Sequence, residues 1–123
     1  MYVDGFVIPV PKRSVASFVA MARKADKIWM DYGALAVFEC LGDDVPYGKR
    51  TSFPRSVKVK RGETVVFSWI LFKSKSDRDR INKLVMVDKR IAAMMEKMKG
   101  KKPPFDAKRM VYGGFKVGVR YER

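Results

Sequence analysis

Four ionisable side chains stand inside apolar, strand-like segments of this chain: Asp4, Glu39, Tyr112 and Lys116. Set together on one surface, they could perform acid–base chemistry. Asp4 or Glu39 would take a proton, and the Tyr112 phenol or the Lys116 ammonium would hold the oxyanion that results. The alternative is that Asp4–Lys116 or Glu39–Lys116 pairs only satisfy an interface, since structural ion pairs are common there. The chain contains no histidine. That excludes Ser-His-Asp and Cys-His catalysis, histidine-ligated zinc and a histidine-held haem. Cys40 is the only cysteine, so no disulfide can form within the chain, as in a reducing cytoplasm. It reads as an inert core thiol. No metal ligand set and no cofactor is expected.

The elements that must position these groups follow from pattern and punctuation. Tyr2 to Val10 reads as a strand, stopped by Pro9 and Pro11. Ser14 is placed to cap a helix that runs to about Tyr32, with Val15, Phe18, Val19, Ala22, Ala25, Trp29 and Tyr32 at the helical period and Gly33 just beyond its end. Ala34 to Leu41 is a second strand. Gly42 to Glu63 is a long polar loop, and loops of that length are usually functional or ordered against a partner. Thr64 to Phe72 is apolar on both faces, as in a strand covered on both sides. Ser76-Asp77-Arg78-Asp79 has capping-box spacing at the start of a helix carrying Ile81, Leu84 and Val85. A second short helix holds Ile91, Met94, Met95 and Met98, and Arg109 to Val119 is the last strand. The order is strand, helix, strand, strand, helical segment, strand. Its simplest fold is α+β, a single ferredoxin-like βαββαβ domain over residues 1–123 with an antiparallel sheet and both helices on one face.

That fold leaves one sheet face bare, and a second copy of the chain would cover it, pairing the subunits into a dimeric α+β barrel. Strand alternation assigns Val3, Gly5, Val7, Ala36, Phe38, Cys40, Val111, Phe115 and Val117 to the helix side. Tyr2, Asp4, Phe6, Ile8, Val37, Glu39, Met110, Tyr112, Gly114 and Lys116 then fall on the other face, joined by either Trp69 or Ser68. The candidate ligand site is therefore Tyr2, Asp4, Phe6, Trp69, Tyr112 and Gly114, between that face and the long loop, with Arg55 available to clamp an anionic group or, more simply, to pin the loop. Gly113 and Gly114 are expected to form a bulge. Phe105-Asp106 before Lys108-Arg109 reads as a turn that pins the last strand.

A net charge of +14, from 27 Lys and Arg against 13 Asp and Glu, favours encounter with polyanions. The basic residues are spread along the chain, so a solvated basic surface is the plainer reading, and weak RNA or DNA binding through the long loop and Lys99–Lys102 is the alternative. No run of 18 apolar residues is present, so no membrane span is expected, and no leader is visible before Tyr2. A cytoplasmic location is the expectation.

Several motifs resemble one family. Tyr2-Val3-Asp4-Gly5-Phe6-Val7-Ile8-Pro9-Val10-Pro11-Lys12, Met21-Ala22-Arg23-Lys24-Ala25, Thr51-Ser52-Phe53-Pro54, Pro104-Phe105-Asp106 and Tyr112-Gly113-Gly114-Phe115-Lys116 are similar to the YbaA-like bacterial family, a group of unknown function. The resemblance implies a dimeric α+β barrel of ferredoxin-like subunits. The wider barrel class includes cofactor-free enzymes acting on small aromatic or carbonyl compounds, which is the expectation it lends to this chain.

Overall fold

The computed structural model describes residues 1–123. Four strands, β1 (Tyr2–Pro11), β2 (Ala36–Leu41), β3 (Glu63–Phe72) and β4 (Val111–Lys116), form one sheet in the order β2-β3-β1-β4. Every neighbouring pair is antiparallel. The helices are α1 (Val15–Tyr32), the one-turn α2 (Phe53–Ser56), α3 (Lys75–Met86) and α4 (Lys89–Met98). With β1 flanked by β3 and β4, this is the ferredoxin-like α+β arrangement.

The helix ends follow local chemistry. Gly33 closes α1 at φ +117°, a left-handed conformation that costs glycine little. Its N–H and that of Ala34 return to the carbonyls of Met30 and Trp29. Ser14 precedes α1 but makes no side-chain cap. The start of α3 differs from the capping box read at Ser76. The cap is Ser74, whose Oγ accepts the Asp77 N–H at 3.1 Å, so the helix begins one residue before Ser76. Asp88 caps α4 by accepting from the Arg90 N–H.

The strand faces are the reverse of the sequence assignment. Tyr2 and Phe6 pack into a core with Ile28 of α1 and with Ile81 and Val85 of α3. Ile8 and Val66 pack with Phe18 and Ala22 of α1. Register carries the same face to Val37 and Glu39 in β2, Ser68 and Ile70 in β3, and Tyr112 and Gly114 in β4. The outer face holds Val3, Gly5, Val7, Phe38, Cys40, Phe67, Trp69, Val111 and Phe115. The physical reason lies in side-chain size. The space under α1 and α3 is filled by large rings and Ile side chains, and the smaller Val3, Gly5 and Val7 could not fill it.

Two further readings change with this. Cys40 is exposed on the outer face, not a core thiol. β3 is covered on both faces only at its start, where Val65 and Val66 are both buried; further along, Phe67 is 41% exposed.

The long loop packs on the outer face. α2 is capped by Ser52 Oγ, which accepts the Arg55 N–H. Pro54 and Val57 are buried there, and the Phe53 ring meets Phe67 edge-on at 5.6 Å. Arg55 donates to the Tyr47 and Gly48 carbonyls and lies over the Tyr47 ring, which fastens the loop to itself. Arg109 ties the loop to the body of the protein. It grips the Glu63 carboxylate with two nitrogens at 2.7 and 2.8 Å and also reaches Asp106 and the Val57 and Lys58 carbonyls.

Candidate functional site

The reversal of faces moves the ionisable groups from an open sheet surface to the space between sheet and helices. There Asp4, Glu39 and Tyr112, but not Lys116, line a cavity of about 630 Å³, bounded by β1, β2, β3, α1 and α3 and by the segment Phe105–Tyr112. Its walls are mostly apolar: Phe6, Ile8, Phe18, Met21, Trp29, Ile70, Phe105 and Met110 contribute. The polar groups are Asp4, Asp26, Glu39, Ser68, Asn82 and Tyr112. The volume falls in the range of small-molecule sites.

Asp4 is 1% exposed. A carboxylate so enclosed needs a partner. Arg78 of α3 supplies it, with Nε 3.0 Å from Asp4 Oδ1. Asn82, one helical turn on, donates from Nδ2 to Asp4 Oδ2 at 3.3 Å and accepts the Trp29 indole N–H at 2.9 Å. Arg78 also donates to Tyr2 Oη at 3.1 Å and lies over the Tyr2 ring. Lys116 is exposed and forms no ion pair with Asp4 or Glu39.

Gly114 faces this group. A Cβ there would overlap Arg78 Nη2 and stand 2.5 Å from Tyr2 Oη. The glycine therefore makes room for the protein's own Tyr2 and Arg78. The β1–β4 register runs unbroken through Gly113 and Gly114, so the expected bulge is absent.

Glu39 lies beside Ser68, which is 4% exposed and whose Oγ donates to the Glu39 carboxylate. Burial pushes Glu39 above the ordinary carboxylate range, against the pull of that hydrogen bond. Asp26 of α1 is the more perturbed acid. Burial, and then the charge of Glu39, raise it to about 7. Tyr112 is half-exposed at the cavity mouth, its ring 5.0 Å from that of Phe6. Burial and the nearby Asp4 charge push its phenol above its usual value.

Of the seven residues read as ligand-binding, Asp4, Phe6 and Tyr112 line this cavity, whereas Tyr2 and Gly114 lie outside its lining, packed against the Arg78 that pairs with Asp4. Trp69 does not: it lies on the outer face, stacked 4.4 Å from Phe38. Arg55 belongs to the long loop and is remote from the cavity walls. Ser68, not Trp69, shares the face of Asp4 and Glu39. Asp26, Arg78 and Asn82 were not read from the sequence as site residues. A signal existed for Asp26, because it falls within the apolar stripe Ala22, Ala25, Trp29 of α1, where a carboxylate is out of place. No group of three or more metal-ligating side chains is assembled anywhere in the chain.

The fold and this site define a ferredoxin-like α+β protein with a carboxylate-bearing cavity between sheet and helices. Residues 1–107 match a family described as a protein of unknown function, DUF1428, and the chain belongs to that family. It is 46% identical over 114 residues to the uncharacterised protein YbaA of Escherichia coli (strain K12), covering 93% of each chain. The YbaA protein of Shigella flexneri gives the same identity and coverage. Among solved structures, a dimeric ferredoxin-like protein from an uncultured marine organism superposes over 100% of both chains, with a TM-score of 0.62 at 10% sequence identity. That likeness bears on the fold alone.

Proposed function

We propose that this protein is a homodimer in which each subunit binds a small, largely apolar molecule between its sheet and the helices α1 and α3. The observation that carries the reading is the cavity of about 630 Å³, lined by rings and aliphatic chains yet holding two acids without a cationic partner. A protein interior is normally packed without such spaces, and buried acids are normally paired. Asp26, raised to about 7, can hold or release a proton at neutral pH. Acid–base chemistry on the bound molecule is thus within the site's means, with Asp26 and Glu39 exchanging the proton and Tyr112 at the mouth as a hydrogen-bond donor. The dimer is supported by the outer face, where Phe38, Phe67, Val111 and Phe115 are exposed together.

The test uses N-phenyl-1-naphthylamine, a neutral probe that fluoresces in apolar surroundings. It should saturate at one molecule per chain. Ala25→Phe, which fills the cavity from α1, should abolish the signal while the protein stays folded. Unchanged probe binding in that variant would refute the site.

A second reading rests on a separate observation. Arg13, Lys60, Arg61, Lys102 and Lys108 converge, with Glu63 and Asp106, on a cleft of about 510 Å³ that shares Phe105 with the cavity. Such a cleft suits a nucleic-acid backbone. Affinity for a single-stranded RNA should then fall steeply with salt.

A further inference from the structure

We infer that the cavity selects hydrophobic cations, an arylalkyl ammonium being the simplest, over neutral and anionic molecules of the same shape. The inference rests on the cavity being a ligand site and adds the charge of its occupant.

The lining contains Asp4, Asp26 and Glu39 but no lysine or arginine. The protein as a whole carries +14. A cavity that gathers acids and omits every cation is therefore opposite in character to the surface around it. Asp4 is already neutralised by Arg78. Asp26 and Glu39 have no Lys or Arg within salt-bridge distance. Ser68 is the sole side-chain donor to Glu39, and Asp26 has none. Two carboxylates facing one apolar space without a cation repel each other and lose hydration together. An ammonium set between them would relieve both costs and form charge-assisted hydrogen bonds.

The rest of the wall fits the same occupant. Phe6, Trp29 and Tyr112 offer ring faces, which attract cations as well as hydrocarbon. An anionic ligand would meet the Asp26–Glu39 repulsion with no guanidinium or ammonium to offset it. The positive surface slows the approach of a cation only over the screening length of ~8 Å at physiological salt, so it does not decide the equilibrium inside.

The experiment is calorimetric titration of the whole protein with three molecules of one shape: 1-naphthylmethylammonium, 1-naphthalenemethanol and 1-naphthylacetate. The ammonium should bind at least about tenfold more tightly than the alcohol, the scale of one charge-assisted hydrogen bond. The acetate should bind more weakly than either. Glu39→Gln, which keeps an acceptor for Ser68 Oγ, should bring the ammonium's affinity down to that of the alcohol measured in the same variant. Equal affinities for all three, tighter acetate, or an advantage that survives both Glu39→Gln and Asp26→Asn would overturn the inference while the cavity remains a ligand site. If none of the three binds and N-phenyl-1-naphthylamine also fails, the cavity reading falls and the inference with it.

Discussion

Replacing Asp26 by Asn should stabilise the protein, and only at the upper end of the pH range. In the folded chain the Asp26 carboxyl is raised from 3.8 to about 7 by burial and by Glu39. An unfolded chain releases that proton near the ordinary value. Between the two pH values the folded state holds a proton that the unfolded state has lost, so stability falls as pH rises from about 4 to about 7. Above 7 the full cost of the buried charge is present. At ~1.4 kcal/mol per pH unit that cost would reach about 4 kcal/mol for a fully enclosed group. Asp26 is only partly buried, and solvent screening reduces the figure to ~1–2 kcal/mol. Asn keeps the shape and never ionises. Asp26→Asn should therefore melt about 3–8 °C above the parent at pH 8.5, and the two should converge by about pH 4, below both pKa values. Thermal unfolding followed by circular dichroism at four or five pH values gives the answer. Glu39 lines the same cavity and its charge acts on Asp26, so the variant also relieves Glu39. Asp26→Asn and Glu39→Gln combined should stabilise by less than their sum. A pH-independent difference, or a less stable Asn variant at pH 8.5, would refute the claim that the acids are repelled and unpaired.

Other perturbations separate the structural from the functional groups. Asp4→Asn takes away the enclosed partner of Arg78, whose other ion pair is with the exposed Asp79, and should cost ~1–3 kcal/mol in urea unfolding, with Asp4→Asn/Arg78→Met costing less than Asp4→Asn alone. Gly114→Ala should cost about 1–3 kcal/mol by overpacking, because its methyl overlaps Arg78 and Tyr2. Phe115→Glu, on the outer face where Phe115 is 61% exposed, should convert the proposed dimer to a monomer in sedimentation velocity while the circular dichroism spectrum is kept.

The architecture was legible because most elements carry their own punctuation, such as Gly33 after α1 and the apolar run of β3; Pro9 and Pro11, read as stopping the first strand, instead stay in β1 opposite Val65 and Glu63. With the element order known, handedness and short connections leave little choice of topology. Alternation also placed Asp4, Glu39 and Tyr112 correctly on one common face. It could not say which side of the sheet that face was. Val3, Gly5 and Val7 look like the apolar half of β1, whereas Tyr2, Phe6 and Ile8 around one aspartate are the larger half, and volume decides what fills the space beneath a helix. Asp4 was misleading as well, since its Arg78 partner lies 74 positions away and leaves no local trace. Asp26 was hidden among the solvated charges Lys24 and Lys27, although its neighbours Ala22, Ala25 and Trp29 belong to the buried stripe.

Arg109 joins segments that are far apart in the chain: the turn at Asp106, the first residue of β3 and the carbonyls that follow α2. β4 is an edge strand of only six residues, held by β1 alone, and starts two residues after Arg109. The loop and the edge strand therefore share a latch, added to the loop's own apolar contacts. When that guanidinium lets go, the covering of one end of the outer face and the register of the last strand loosen together, as one cooperative opening unit rather than two independent ones. The surface that a second subunit would meet is thus governed by a residue that never touches it.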